Sequence, residues 1–361
     1  MVTNSASTAP LFEVTDIDRA YYGERLADFL PPKLIDAHTH VWLKDFIGAH
    51  KTKARTARWP SLVAEDNSIE DLLETYRLLL PQQHVTPLIF GSPDREVNLE
   101  ATNSYTSRAA QAHSLPALLV STPAWPAEIL EERVRTGGFL GLKPYLNFAP
   151  PEIPGSAITI YDFLPRAHLE VADALGWVVM LHIPRTDRLR DPVNLTHLVE
   201  IDEAYPNIRV IVAHIGRAYC REDAGDAFDV LAATSRMSFD FSANTNAWVI
   251  EQALRAFGTR RVLFGSDLPI LRMRMRRICE DGRYINLVPP RLYGDVSDDP
   301  HMREVDEEEG RRLSFFLYEE LWAFRQAAEA LSLTTNEIEN VFYNNAARLL
   351  LAPDQGGIAL H

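Results

Sequence analysis

His38 and His40 stand one residue apart, just past the apolar run KLIDA at 33–37. On an extended strand, residues i and i+2 point to the same side, so the two imidazoles can grip one divalent ion. The theme recurs along the chain. Lys143 ends the run 139–143, His182 ends 177–182, His214 ends 208–214, and Asp267 follows 261–266. A third imidazole from His182 and the Asp267 carboxylate would complete three or four protein ligands and leave one position open, as catalytic metal sites require. An ion so held brings the pKa of a bound water toward neutrality and polarises a carbonyl. Taken singly, each residue has a plainer reading. His182 and His214 could be hydrogen-bonded core histidines, Asp267 a helix cap, and Lys143 an ordinary strand-end lysine. The conjunction argues otherwise. Of 11 histidines, four fall at the ends of the first, fifth and sixth apolar runs, with an aspartate after the eighth. The other seven (His50, His84, His113, His168, His197, His301 and His361) take no role.

These residues converge only if the runs are strands of one parallel sheet. The candidate strands are 33–37, 85–90, 116–121, 139–143, 177–182, 208–214, 237–241 and 261–266, and their unbroken apolar character suits strands covered on both faces. Helical patterns fill the intervals at 68–80, 96–112, 126–136, 162–175, 192–204, 222–234, 246–257 and 311–331. Ser68 and Asp71 have capping-box spacing, and Pro81 stops the helix that they open. Eight such units predict an α/β fold, a single (β/α)8 TIM barrel whose strand C-termini face one another at the mouth. An open doubly wound sheet fits less well, because no GxGxxG follows the first strand. The expected organisation is an N-terminal extension over 1–32, with 1–9 a frayed tail and 11–30 packed outside the barrel, then the barrel over 33–352 and a tail over 353–361. Two long connections, 41–67 and 268–310, lie where active-site loops belong. The second carries LRMRMRR and then EVDEEE. Both charge runs read most simply as solvated loop. The sharper reading is a lid bringing Arg272, Arg274 or Arg276 to an anionic substrate.

The bulk properties narrow the class. The chain has 361 residues, 46% hydrophobic and 24% charged, enough for a large core without disulfide or structural-metal support. Its net charge of −14, from 36 basic and 50 acidic residues, argues against nucleic acid or an anionic membrane as the main partner. A small-molecule substrate is the expected partner. Cys220 and Cys279 show no CxxC spacing, which suggests a reducing compartment and no disulfide framework. The N-terminus lacks a signal-peptide pattern, and no apolar stretch reaches 18 residues, so the expected location is the cytoplasm.

LIDAHTH, GLKPYL, VVMLH, VIVAHIG, VLFGSDLP and NVFYNNAARLL resemble the amidohydrolase superfamily over roughly residues 33–351. Specifically they resemble its amidohydrolase 2 branch, which includes aminocarboxymuconate-semialdehyde decarboxylase-like enzymes and several lactone hydrolases. The resemblance implies metal ligation by His38, His40, His182 and Asp267. It gives Asp267 a second role as proton shuttle, and makes His214 a catalytic histidine or a second-metal ligand. In binuclear members a strand-4 lysine is carboxylated to bridge the ions, and Lys143 stands at that place. The reading favours one metal, most readily Zn2+ with Mn2+ as the alternative, and Lys143 as a cation near the substrate. Superfamily members are often homo-oligomers.

Position adds Tyr145, Asn147, Arg185, Arg217 and Tyr219 as residues past the strand ends that could face the pocket, and their cations suit an anionic substrate. Tyr145 and Arg217 join Lys143 as the expected substrate-binding set, with His214 and Asp267 catalytic. The first functional expectation is hydrolysis of an ester, lactone or amide by activated water. Non-oxidative decarboxylation of a small carboxylic acid is the alternative. A non-catalytic binding barrel is the remote third, because such barrels usually lose ligands. Cys220 is not expected to act as a nucleophile.

Overall fold

The expected apolar runs become strands in a computed structural model that describes residues 10–48 and 62–350. The predicted tails at 1–9 and 353–361, and the middle of the 41–67 connection, lie outside the described residues. Strands β1 (Lys33–His40), β2 (His84–Phe90), β3 (Leu119–Ser121), β4 (Gly141–Pro144), β5 (Val178–Leu181), β6 (Arg209–Val212), β7 (Ser238–Asp240) and β8 (Val262–Leu263) follow in chain order. Strands β3 to β8 form one parallel sheet in sequential order, and β1 pairs in parallel with β2. Backbone hydrogen bonds join the two pieces on both sides. Ile89 N–H reaches Pro116 O at 3.0 Å and Leu118 N–H reaches Ile89 O at 3.0 Å. Across the other gap, Ala37 N–H reaches Phe264 O at 2.9 Å, Asp267 N–H reaches His38 O at 2.8 Å, and His40 N–H reaches Leu268 O at 2.8 Å. The eight strands thus run round a ring, the α/β barrel that the sequence predicts.

Side-chain alternation confirms a sheet covered on both faces. Ile35, Ala37, Leu88, Phe90, Val120, Met180, Ile211 and Leu263 belong to one buried cluster inside the ring. Their strand neighbours Leu34, Ile89, Leu119, Leu142, Val179, Val212 and Val262 join a second cluster beneath the helices. Lys143 and Asp240 follow the outward-facing Leu142 and Phe239, so the two-residue period turns both inward.

Helices α1 (Asp16–Arg25), α2 (Ile69–Leu79), α3 (Leu99–His113), α4 (Ala127–Gly137), α5 (Arg166–Ala174), α6 (Pro192–Ala204), α7 (Ala227–Ala232), α8 (Ala247–Phe257) and α9 (Phe316–Ala330) account for the helical patterns. Ser68 and Asp71 form the reciprocal capping box at the start of α2. Helix α1 lies against α9, where Tyr21 stacks on Tyr318 with ring centroids 5.9 Å apart. Its Asp18 is fully buried and accepts from Arg274 Nη2 at 2.6 Å and Ser314 Oγ at 2.7 Å.

Two expectations are corrected here. The 268–310 connection is not all loop: β9 (Arg276–Glu280), β10 (Arg283–Val288) and β11 (Met302–Glu304) build a separate three-stranded sheet within it. Its first strand, RRICE, is charged and leaves no face fully covered, so hydrophobic periodicity could not reveal it. In addition, Cys220 and Cys279 form a disulfide, their Cα atoms 5.9 Å apart across 59 residues. The partners meet only because β9 returns over the segment after β6. Cysteine usage therefore gives no argument for a reducing compartment. Among the described residues no helix is long and apolar enough to cross a membrane.

Candidate metal centre

The site begins at a fault in the first strand pair. The register between β1 and β2 shifts between Asp36 and Thr39, and the buried Asp36 carboxylate takes over the broken ladder. Its Oδ1 accepts from His38 N–H at 3.1 Å and from Ser266 N–H at 2.8 Å, and its Oδ2 accepts from Tyr76 OH at 2.8 Å. Such a shift re-aims the side chains that follow. His38 and His40 then both face Asp267 Oδ1, with Nε2 atoms at 3.6 Å and 3.2 Å. Gly265 makes the approach sterically possible, since a Cβ there would lie 2.8 Å from His38 Cβ and 3.3 Å from Asp240 Cβ.

Each histidine has its other ring nitrogen engaged. Nδ1 of His38 lies 3.0 Å from Asp240 Oδ2, that of His40 3.2 Å from Gly91 O, that of His182 3.2 Å from Ile183 O, and that of His214 3.1 Å from Ser242 O. An Nδ1–H spent on an oxygen leaves the Nε2 lone pair free. Asp240 is the hub of this outer layer. Its Oδ1 accepts from His214 N–H at 2.9 Å, from Ser242 N–H at 3.1 Å and from the Ser242 hydroxyl. That hydroxyl also lies 2.9 Å from His214 Nδ1.

Donor atoms converge in two groups, His38–His40–Asp267 and His38–His214–Asp240. They share His38 but use opposite sides of its ring, so Asp240 orients the ring while Asp267 faces the free nitrogen. The first group fits a metal seat. Ligands about 2.0–2.1 Å from a tetrahedral zinc lie roughly 3.3 Å from one another, close to the two Nε2–Oδ1 separations. His182 falls outside both groups. Its ring lies 5.1 Å from that of His214 and 4.9 Å from that of Tyr145.

Electrostatics follow from burial. Desolvation lowers His38 to about 4, helped by the Lys143 charge and opposed by Asp240 and Asp267. It also lowers His214, and His182 well below the usual imidazole range, so all three rings are neutral at pH 7. For Asp267, burial works upward, but the hydrogen bond from His40 and the charges of His38, His214 and His40 outweigh it and hold the carboxyl at about 2. Lys143 is fully buried, and among the described residues its Nζ has no hydrogen-bond partner. Desolvation brings the amine down to about 8, against the pull of Asp240 and Asp267. The ammonium sits 4.8 Å from the centroid of Phe90 and 5.6 Å from that of Tyr145.

Backbone strain gathers at the same end of the barrel. Among the described non-glycine residues, ten have positive φ, and His214, Ile215, Arg217, Ala243 and Asp267 are five of them. Gly216 completes the left-handed run after β6, at φ 59°. Such residues cost of order 1–3 kcal/mol each and cluster where function demands a fixed geometry.

The structure separates the predicted pocket residues. Lys143, Tyr145, Arg217 and Tyr219 gather around the histidines, whereas Arg185 pairs with Asp191 at 3.0 Å and Asn147 donates to Pro93 O at 3.1 Å. The lid arginines are committed elsewhere: Arg272 to Asn67, Arg274 to Asp18, and Arg276 to Glu309. Asp240, Ser242 and Asp36 escaped the sequence reading. Asp240 could have been found as a lone carboxylate inside the apolar run SFDF.

Comparison with known proteins agrees with the barrel fold. No curated protein matches the chain significantly. Several solved structures share its fold. An amidohydrolase from Burkholderia multivorans with bound zinc aligns with a TM-score of 0.54 at 15% identity, covering 88% of this chain and 98% of that one. A probable 2-pyrone-4,6-dicarboxylic acid hydrolase from Acinetobacter baumannii, with citric acid bound, gives 0.51 at 16% identity over 88% and 98%. A 4-oxalomesaconate hydratase from Rhodopseudomonas palustris gives 0.50 at 16% over 88% and 95%. The family model described as Amidohydrolase matches residues 35–351, and the chain therefore belongs to the amidohydrolase 2 family.

Proposed function

We propose that this protein is a metal-dependent hydrolase that cleaves an ester, lactone or amide bond of a small anionic substrate. The observation that carries the reading is the convergence of His38 Nε2, His40 Nε2 and Asp267 Oδ1, with the far side of each ring already engaged. These three residues, with His182 just past the end of β5, would hold one divalent ion, most readily zinc, with manganese as the alternative. The bound ion supplies Lewis acidity, polarising a carbonyl and making water a better acid.

The remaining chemistry belongs to the side chains. His214 is neutral at pH 7 and its Nε2 is free, so it accepts the proton of the attacking water. Asp267, ionised at pH 7, takes the water's remaining proton as the adduct forms and passes it to the leaving group, while the proton on His214 returns to solvent. A group held near 2 gives that proton up readily. Lys143, Tyr145 and Arg217 orient the substrate's negative end. Two of the structures sharing the fold carry hydrolase or hydratase in their names, and one holds zinc, which accords with this assignment. The same cations would also hold the acid of a decarboxylase, so the test must separate the two reactions.

Plasma mass spectrometry of the purified protein should find about one metal per chain, a count expected of a single catalytic seat. A panel of carboxylated lactones and esters is then followed for acid release at constant pH and for carbon dioxide. Acid release without carbon dioxide supports hydrolysis, and carbon dioxide alone replaces it with decarboxylation. Two metals per chain would move Lys143 into a carboxylated bridge. A protein that neither holds nor takes up metal overturns the reading.

A further inference from the structure

Helix α9 turns an apolar stripe inward, with Phe316, Phe324 and Ala328 buried at helical spacing. Glu320 occupies one position of that stripe and is fully buried. A carboxyl placed there is costly unless it is hydrogen-bonded. Its Oε2 accepts from Ala243 N–H at 2.5 Å, and among the described residues its Oε1 has no hydrogen-bond partner. Burial and the charge of Asp36, with those of Asp240 and Asp267, raise this carboxyl well above the usual range against the hydrogen bond from Ala243, which favours the neutral acid.

The amide that Glu320 holds is shared with Ser242. The peptide unit between residues 242 and 243 is planar and trans, so its N–H and C=O point to opposite sides. The N–H faces Glu320, and the C=O faces His214, whose Nδ1 lies 3.1 Å away. Carboxyl, peptide and imidazole thus form one chain of hydrogen bonds, in which each bond polarises the next. An Nδ1–H spent on that carbonyl leaves Nε2 unprotonated, the state a general base needs. The Ser242 hydroxyl, 2.9 Å from the same nitrogen, gives its own proton to Asp240 and accepts beside the carbonyl.

This peptide orientation has to be imposed from outside. Ala243 sits in the left-handed region at φ 54°, which a residue with a Cβ avoids. Turning the 242–243 peptide by half a turn would return Ala243 to an ordinary negative φ and reverse the amide. Its N–H would then face His214 Nδ1, and a donor at that place moves the ring proton to Nε2. Arg277 on β9 donates from Nη1 to Ala243 O at 2.5 Å, so it fixes the carbonyl after Ala243 and not the amide before it. The hold on that amide comes from Glu320.

We propose that Glu320 is a positioning residue for His214, keeping the ring proton on Nδ1 and the Nε2 lone pair free through the 242–243 peptide. This deepens the hydrolase reading and rests on it for what the free nitrogen does.

The test uses the full-length, zinc-loaded protein labelled with nitrogen-15 at histidine. Long-range nitrogen–proton correlation spectra at pH 7 report which nitrogen of each ring carries the proton, and a His214→Gln sample assigns the His214 signals. Wild type should show His214 protonated at Nδ1. Glu320→Met should show the Nε2–H form, whereas Glu320→Gln, which keeps an acceptor in place, should keep the wild-type signature. If the methionine variant does not fold, Glu320→Asp, which withdraws the acceptor by one methylene, takes its place. On the same samples, kcat for para-nitrophenyl acetate should fall about 10- to 100-fold in Glu320→Met with KM within about twofold, and recover in Glu320→Gln. A methionine variant with a lower melting temperature but an unchanged His214 signature makes Glu320 structural only and overturns the proposal. Loss of the signature in Glu320→Gln as well overturns the hydrogen-bond chain. Wild-type esterase activity alongside an unmoved proton in Glu320→Met leaves the hydrolase reading standing. A proton that moves as expected in a protein without esterase activity keeps the positioning role and counts against the hydrolase reading alone.

Discussion

Asp240 Oδ2 lies 3.0 Å from His38 Nδ1, both side chains essentially without solvent contact. The carboxylate fixes which nitrogen of His38 carries the proton and which faces Asp267. It sits on β7, a strand that contributes no proposed ligand. Asp240→Asn should therefore leave the fold intact but weaken metal affinity by about 10- to 100-fold, the usual effect of removing an outer-layer partner. Chelator competition, with circular dichroism as the fold control, measures it. Unchanged affinity would remove Asp240 from the site.

Gly265→Ala tests the close approach behind the seat. The added methyl would stand 2.8 Å from His38 Cβ, with Asp240 Cβ at 3.3 Å on another side. Overpacking of this kind costs about 1–3 kcal/mol. Both the melting temperature and metal retention should fall. A variant that melts and binds metal like wild type would show that the ring has slack here.

Lys143→Met asks what an unpartnered buried ammonium does. Below pH 8 the amine is charged in both folded and unfolded chains, and its burial costs about 3 kcal/mol, the equivalent of its shift from 10.5 to about 8. Between pH 8 and 10.5 the folded protein releases this proton while the unfolded chain keeps it, so stability rises with pH. The methionine variant should be more stable at pH 7, lack that rise, and lose turnover. Urea unfolding at pH 7, 8.5 and 10 decides. A destabilised variant at pH 7 would mean that Lys143 has a stabilising partner.

Asp18→Ala should destabilise by about 3–5 kcal/mol, because it leaves the Arg274 charge with main-chain acceptors alone and Ser314 without its acceptor. Burial raises the Asp18 carboxyl, but hydrogen bonds from Arg274, Ser314 and Thr15 together bring it below the usual 3.8. A depressed carboxyl stabilises above its unfolded pKa and loses that contribution as pH falls. The gap in thermal stability between wild type and variant should thus be full at pH 7 and narrow below about pH 4. A gap independent of pH would point to packing rather than charge.

The barrel strands were legible because each is an apolar run of strand length, and His38, His40, His182, His214 and Asp267 because they stand where those runs stop. Three things were not. The sheet β9–β11 hides in charged sequence, since its stability comes from cross-strand pairing and from arginine over aromatic rings. Asp240 hides because its partners, His38 and His214, are 202 and 26 residues away. The Cys220–Cys279 bond and Arg277 depend on where β9 folds back, which no local pattern specifies. The reading of Arg272, Arg274 and Arg276 as a lid failed because their partners Asn67, Asp18 and Glu309 lie 33 to 256 residues away.

The seam between β1 and the residues after β8 has a consequence for biosynthesis. Asp36, His38 and His40 emerge early from the ribosome, and Ser266, Asp267 and Leu268 more than two hundred residues later, yet each group completes the other's backbone pairing. The nascent chain must wait with its first strand unmatched, an edge that invites wrong partners. Closing the ring and assembling the donor set are then one event. A chain truncated before residue 265 has neither a finished barrel nor Asp267 to face His38 and His40, so a prematurely terminated product lacks the donor set from the start.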